Sequence, residues 1–132
     1  MSTAPVDPKS AFSDPSAIAS YAERTRRLVP GWDDLQKMTT LLVAEGAPGD
    51  ARILVVGAGG GAELAALARA EPGWRFVGVD PSAPMLDRAR ATLGALASRV
   101  EFHEGYVATA DAGPFDAATC LLTMHFVSHA QR

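Results

Sequence analysis

The stretch Arg52-Ile53-Leu54-Val55-Val56-Gly57-Ala58-Gly59-Gly60-Gly61-Ala62-Glu63-Leu64 constrains the fold more than any other part of the chain. An apolar run too short for a helix ends at Val56 and meets four glycines within five positions. An alanine- and leucine-rich helical pattern then begins. The pattern predicts a buried parallel strand feeding a tight turn into a helix. Glycine is needed there because the turn demands unusual backbone angles, and because a ligand must approach the main chain without a Cβ in the way. The N–H groups at the start of the helix are then expected to face that ligand. Asp80 follows Gly61 by nineteen residues, at the end of a second apolar run, Phe76-Val77-Gly78-Val79. A carboxylate at the tip of the next strand can accept both hydroxyls of a ribose. A glycine turn plus a distal acid reads as a site for a nucleoside-containing cofactor.

At 132 residues the chain suffices for one domain and one core. Hydrophobic content of 48% against 20% charged residues argues for a globular protein rather than disorder. A net charge of -3 gives no electrostatic footprint for nucleic acid or an anionic membrane. The single cysteine, Cys120, excludes an internal disulfide and suits a reducing cytoplasm. No apolar run approaches the roughly 20 residues of a membrane span, and Met1 to Pro8 lacks the basic and apolar regions of a signal peptide. A soluble, cytoplasmic, single-domain protein is expected.

Along the chain, Met1 to Ser10 carries Pro5 and Pro8 among small polar residues and reads as a flexible N-terminus, leaving 11–132 as the domain. Asp14-Pro15 predicts a helix start, with Asp14 as cap and Pro15 at the first helical position. Ile18, Tyr21, Ala22 and Leu28 recur at helical spacing until Pro30-Gly31. A second helix is expected from Asp33 to Glu45, with Leu35, Met38, Leu41 and Leu42 on one face and Gly46 as its stop. After the glycine turn come a helix over Ala62–Ala70, a strand over Trp74–Val79 and a helix from Pro81 to about Leu96. Met85, Ala89, Leu93 and Leu96 are expected to face the core. A third strand, Val100–His103, a loop from Gly105 to Pro114 and a strongly apolar fourth strand, Phe115–Leu122, complete the layout. Alternating strands and helices imply an α/β fold built on a doubly wound parallel sheet, with two leading N-terminal helices.

A fourth strand this apolar is expected to be central, with neighbours on both edges. Four strands with two leading helices read as the first half or more of a larger fold, so the domain is expected to be incomplete. Either the chain is truncated before its C-terminal strands, which is the preferred expectation, or a second copy covers the strand-four edge in a homo-oligomer.

Two families use the glycine opening. Gly57-x-Gly59-x-x-Ala62 satisfies the dinucleotide fingerprint, and Asp80 suits NAD equally well. Further features resemble the class I S-adenosylmethionine-dependent methyltransferases, a Rossmann-like family whose first motif is a strand followed by G-x-G-x-G, here Gly57-Ala58-Gly59-Gly60-Gly61. Two helices precede the first strand. Val77-Gly78-Val79-Asp80-Pro81-Ser82-Ala83-Pro84-Met85-Leu86 resembles the family's "GVDxSxxML" segment, and Gly113-Pro114-Phe115-Asp116-Ala117-Ala118 its "xxFDxV" segment. The similarity covers roughly Phe12 to Phe126. Tyr21, Arg24, Arg27 and Pro30-Gly31-Trp32 also resemble the leading helices of a small-molecule and tRNA-modifying branch.

This resemblance implies S-adenosylmethionine as cofactor, methyl transfer to a small-molecule acceptor, and a cofactor site formed by Gly57, Ala58, Gly59, Gly61, Asp80, Pro81, Met85, Tyr106, Val107, Leu121 and Leu122. Two positions depart from the family pattern. Val55 stands where members often have an acid contacting the methionine end of the cofactor. The loop Glu104-Gly105-Tyr106-Val107 lacks the acid that many members place near the adenine amino group, so Tyr106 or backbone atoms would serve.

Other residues have plainer readings beside the functional ones. Asp80 can cap the following helix, and Met85, Leu121 and Leu122 can simply fill core. Tyr21, Arg24 and Arg27 lie on one helical face, where guanidinium groups can clamp a carboxylate of substrate or methionine or form a solvated basic face. Trp32 can lid the pocket or pack between the leading helices. His125 and His129, with Cys120 and His103 elsewhere, make no metal site. His125 is the one candidate for a catalytic residue, as a general base for an oxygen or nitrogen acceptor. Cys120 reads as a buried small residue rather than a nucleophile. An NAD-dependent oxidoreductase, a non-catalytic cofactor-binding fragment and a self-associating domain remain as alternatives.

Overall fold

The computed structural model describes residues 12–132, so the flexible stretch expected over 1–10 lies outside the described residues. Helix α1 (Pro15–Leu28) starts as its sequence predicts, with the Asp14 carboxylate accepting from Ser16 N–H at 3.0 Å and Pro15 in the first turn. Gly31, at φ 73°, turns the chain into α2 (Trp32–Gly46). Strand β1 (Arg52–Val56) leads through the glycines to α3 (Ala62–Ala70). Then follow β2 (Arg75–Asp80), α4 (Ala83–Leu93), β3 (Val100–Glu104) and β4 (Ala117–Thr119), with short 3-10 turns between and after them. The strands form one all-parallel sheet in the order β3-β2-β1-β4. The α/β, parallel-sheet expectation therefore holds.

The core lies between the sheet and the helices. Ile53 and Val55 alternate onto one face of β1 and are fully buried with Leu64 of α3. Trp74 and Phe76 on the β2 side and Leu67 of α3 join them. Each such side chain contributes about 1.5–3 kcal/mol through the apolar surface it removes from water. The indole N–H of Trp74 donates to Pro48 O at 2.8 Å, so even this large ring buries no unsatisfied donor. Gly61 lets α3 and α4 cross closely. Its φ is +78°, and a Cβ there would lie 2.8 Å from Ala89 Cα and 2.9 Å from Ala89 O.

Three expectations are corrected: the buried face of α2, the end of α4 and the length of the fourth strand. The apolar face of α2 points outward: Met38, Leu41 and Leu42 are 59%, 67% and 66% exposed, while Gln36 and Thr40 are buried. Packing, not apolar content, set the face, because α2 leans on the alanine-rich α3, and a second layer to bury the leucines is not present among the described residues. Leu28 of α1 is likewise exposed. Helix α4 stops at Leu93, where Gly94 takes φ 56°, although Leu96 still packs against the core from the following 3-10 turn. The fourth strand is three residues long rather than eight; it pairs with β1 alone among the described residues, and its other edge is open, as expected of an incomplete sheet. Leu122 breaks the extended run, because its φ of 51° lies in a region that a β-strand cannot use.

Arg99 closes the far end of α3. Its guanidinium donates to Glu71 O at 2.9 Å, Pro72 O at 3.0 Å and Trp74 O at 3.1 Å, and also to Ala68 O. These include carbonyls that a helix terminus leaves without intrahelical donors. Arg99→Met is expected to cost about 2–3 kcal/mol, the loss of charge-assisted hydrogen bonds to part-buried carbonyls. The shift of the urea midpoint measures it, and an unchanged midpoint would show that water replaces the guanidinium.

Candidate functional site

The C-terminal ends of β1, β2 and β4 meet at one rim of the sheet, and the glycine turn crosses it. The amides of that turn are already engaged within the chain. Gly57 and Ala58 N–H both donate to Val79 O, at 2.8 and 3.0 Å. Gly59 N–H donates to Asp80 Oδ2 at 3.0 Å. Gly60 N–H reaches Met85 O and Gly61 N–H reaches Ala58 O, both at 3.2 Å. The turn amides 57–61 are thus satisfied within the chain, and the amides that the sequence predicts to face a ligand are those of the helix start that follows, from Ala62 on.

Asp80 holds this arrangement together. Its Oδ1 accepts from Ser82 N–H at 2.9 Å while Oδ2 holds Gly59. A Cβ at Gly59 would sit 2.6 Å from that oxygen and 2.9 Å from Met85 Cβ, so glycine is required by the protein's own packing. Burial pushes the Asp80 pKa up, against the two backbone donors that favour the charged form. A carboxylate has about four acceptor directions, so two remain for a ligand. Asp80 does not cap α4 itself. Ser82 does, with its hydroxyl oxygen accepting from Met85 N–H at 3.3 Å while its O–H donates to Phe12 O at 3.0 Å.

Beside this rim opens a cavity of about 1190 Å³. Of the residues singled out in the sequence, Gly57, Ala58, Gly59, Asp80, Pro81, Met85, Tyr106, Val107, Leu121 and Leu122 line it, and Gly61 does not. Tyr106 and Val107 form its exposed wall, and Met85 is buried at its base. Tyr21, Arg24, Trp32 and His125 also line it, whereas Arg27 turns away to pair with Glu23. Val55 is fully buried and is not among the lining residues. Phe12, Tyr21 and Phe126 close one side, with edge-to-face ring centroids 5.9 and 5.4 Å apart. Thr123 lies over the turn, its Oγ1 only 2.1 Å from where a Gly57 Cβ would be. No group of three His, Cys, Asp or Glu suited to a metal ion occurs among the described residues.

Sequence reasoning missed a buried polar group beneath this cavity. Glu63, in the first turn of α3, is 9% exposed, and Gln36 of α2 is 7% exposed. Both line the cavity. Glu63 Oε1, Gln36 Nε2, Gln36 Oε1 and the Thr119 hydroxyl of β4 form no hydrogen bond among the described residues. Burial pushes the Glu63 carboxyl up to about 7, although the facing Thr119 hydroxyl eases it down. Cys120 is also pushed up, first by burial and then by Glu63. A glutamate two residues past a glycine turn reads as an ordinary helix-start acid, and a glutamine one turn into α2 as a surface residue, so the pattern carried no signal of their meeting.

A family model described as a methyltransferase domain matches residues 53–132. No curated protein matches the sequence. Among solved structures, an amino pentose methyltransferase of calicheamicin biosynthesis from Micromonospora echinaspora, with S-adenosylmethionine bound, is 32% identical at a TM-score of 0.66, over 82% of this chain and 44% of its own. A methyltransferase from Thiobacillus denitrificans in complex with S-adenosylhomocysteine is 24% identical at a TM-score of 0.64, over 86% of this chain and 45% of its own. A magnesium protoporphyrin IX methyltransferase from Synechocystis PCC 6803 is 21% identical at a TM-score of 0.67, over 96% of this chain and 67% of its own. At these identities the last two establish a likeness of fold. The chain spans about 45% of the length of the first two.

The Glu63 shift fixes a pH dependence. The folded chain keeps this proton up to about pH 7, whereas the unfolded chain releases it near 4.5. Between those values the unfolded state binds fewer protons, so this contribution to stability is full below 4.5 and is lost as pH rises through about 7. The whole shift corresponds to about 3 kcal/mol. Urea midpoints across this window are expected to fall with pH in the parent chain and to fall less in Glu63→Gln. Equal slopes would show Glu63 ionised and solvated.

Proposed function

This chain belongs to the methyltransferase domain family, and on that premise we propose that it binds S-adenosylmethionine at the ends of β1, β2 and β4 and transfers the methyl group to a small-molecule acceptor. The observation that carries the choice of cofactor is the state of the turn amides. A dinucleotide places its pyrophosphate on free N–H groups at a helix start. Here the amides of residues 57–61 are bonded within the chain, and Glu63, a buried acid, stands in the first turn of the helix. The glycine turn offers a phosphate no free donor, and a phosphate at the helix start beyond it would lie against the Glu63 carboxyl. A cofactor with ribose hydroxyls, no phosphate and positive charge suits the same surface. The bound S-adenosylmethionine of the calicheamicin-pathway relative supports the reading.

The residues fit that group. Asp80 offers its two unused acceptor directions to the ribose hydroxyls. Pro81, Met85, Tyr106 and Val107 supply walls for the base, and the ends of β1 and β4 at Gly57, Ala58, Gly59, Leu121 and Leu122 supply the floor. When bound, S-adenosylmethionine supplies a methyl group already activated on a sulfonium. The chain's own work is then to orient the acceptor and exclude water. Phe12, Tyr21 and Phe126 make the apolar side of the cavity that does so. His125, stacked on Phe126 with ring centroids 4.0 Å apart, brings an imidazole to the same cavity, where it can take a proton from an oxygen or nitrogen acceptor. The unpaired half-buried thiol of Cys120 supports a reducing, cytoplasmic setting. No helix of the described residues is long and apolar enough to cross a membrane.

Calorimetric titration with S-adenosylhomocysteine and with NADH tests the reading. S-adenosylhomocysteine is expected to bind, with Asp80→Ala weakening it by about 10–100-fold through loss of charge-assisted hydrogen bonds. NADH is expected to give no heat. Binding of NADH alone would overturn the reading in favour of an oxidoreductase.

A further inference from the structure

We propose that the methyl acceptor is an elongated apolar acid, its body lying on the Phe12, Tyr21 and Phe126 rings and its anionic group held by Arg24. This rests on the methyl-transfer reading above and names the class of acceptor that the reading leaves open.

Arg24 is the one lysine or arginine among the described residues that line the cavity. Of the three arginines of α1, Arg26 pairs with Asp33 and Arg27 with Glu23, whereas Arg24 forms no ion pair among the described residues. The two acids of the cavity do not answer it. Asp80 is tied to Gly59 and Ser82, and the buried Glu63 faces Thr119 of β4. A guanidinium has five donors in a planar fork and no acceptor, and a carboxylate matches that fork.

The surface beside Arg24 is apolar. Six of the nine large hydrophobic side chains exposed among the described residues line this one cavity: Leu28, Tyr106, Val107, Leu122, Met124 and Phe126. Apolar surface gathered at one concave opening marks a ligand site, whereas scattered exposure does not. Tyr106, Val107 and Leu122 are assigned to the cofactor above. Leu28, Met124 and Phe126 have no such role and are left for a second, apolar ligand.

The order of groups along the wall sets the shape of that ligand. The Tyr21 ring lies over the glycine turn, where a Cβ at Gly60 would be 3.0 Å from Tyr21 Cε1. Arg24 stands one turn further along α1 on the same face, and Leu28 one turn beyond it. On the other side of Tyr21, ring contacts run to Phe12, Phe126 and His125, with successive centroids 5.9, 5.4 and 4.0 Å apart. Arg24 and His125 therefore stand at opposite ends of one aromatic wall. An acceptor anchored by its anion at Arg24 brings its far end toward the imidazole, whereas a cationic acceptor of the same length would set its charge against Arg24.

The test is calorimetry of the full chain saturated with S-adenosylhomocysteine, titrated with 3-(4-hydroxyphenyl)propanoate, with the matching amide and with the matching amine. These probes carry a negative, no or a positive charge at the end away from the hydroxyl. The acid is expected to bind about tenfold or more tightly than the amide, and the amine to bind most weakly. Arg24→Met is expected to bring the acid to the affinity of the amide, and Arg24→Lys to restore part of the difference. Phe126→Ala is expected to weaken acid and amide alike. Unchanged S-adenosylhomocysteine affinity in all three variants shows that the chain still folds. The proposal is overturned if amide or amine binds as tightly as the acid, if none of the three binds, or if Arg24→Met keeps the preference or Phe126→Ala leaves both affinities unchanged. If Arg24→Met weakens S-adenosylhomocysteine instead, the guanidinium serves the cofactor, and the acceptor proposal falls while the cofactor reading stands. If S-adenosylhomocysteine does not bind the parent chain, both fall.

Discussion

One carboxylate joins the parts of this site. Asp80 ties the glycine turn to β2 through Gly59 N–H and shapes the start of α4 through Ser82 N–H. Ser82 in turn holds α4 by its cap and the chain ahead of α1 by Phe12 O. The hierarchy is short: one acid, two backbone amides and one hydroxyl set the relative positions of the first strand, the second strand, two helices and the aromatic side of the cavity. It also explains why Gly59 must be glycine without invoking any ligand, since a Cβ would displace the oxygen on which the arrangement depends.

The same bonds decide the electrostatics of the rim. A helix start is ordinarily an anion site, because its N–H groups are unpaired and its dipole is positive there. The turn amides ahead of α3 are engaged internally, and Glu63 in its first turn opposes an anion at the helix start itself. Burial outweighs the dipole at Glu63, since its carboxyl is raised rather than lowered. The rim therefore carries two acids, the half-buried Asp80 at the end of β2 and the buried Glu63 at the start of α3.

The parts of this fold that read well from sequence are those fixed by local chemistry. The Asp14-Pro15 cap, the strand–glycine–helix passage and the acid ending β2 each need few residues and no distant partner, and each stands where the pattern places it. Parallel order followed from the alternation of strands and helices. The misreadings concern what elements pack against. Met38, Leu41 and Leu42 make a convincing apolar stripe, yet a stripe is buried only where another layer meets it, and α3 meets the opposite side of α2. Phe115–Leu122 looks like a central strand because it is apolar, yet the chain turns at Leu122 toward Thr123 and the Gly57 turn. Ten of the eleven cofactor-site residues read from the motifs line the cavity. Glu63 and Gln36 could not be read in that way, because their significance is a meeting of two helices from separate parts of the chain.

That meeting bears on why α2 presents a polar face inward at all. Burying polar groups opposes folding unless hydrogen bonds are completed. Thr40 settles its hydroxyl on Gln36 O at 2.9 Å within the helix, but the Gln36 amide and the Glu63 carboxyl have no such local solution. A helix chosen for stability alone would turn its leucines inward. The observed face instead packs the Gln36 side of α2 on α3 and leaves Met38, Leu41 and Leu42 outside. The sheet and Asp80 fix one end of the cavity, whereas α1, α2 and the segment after β4 line the other.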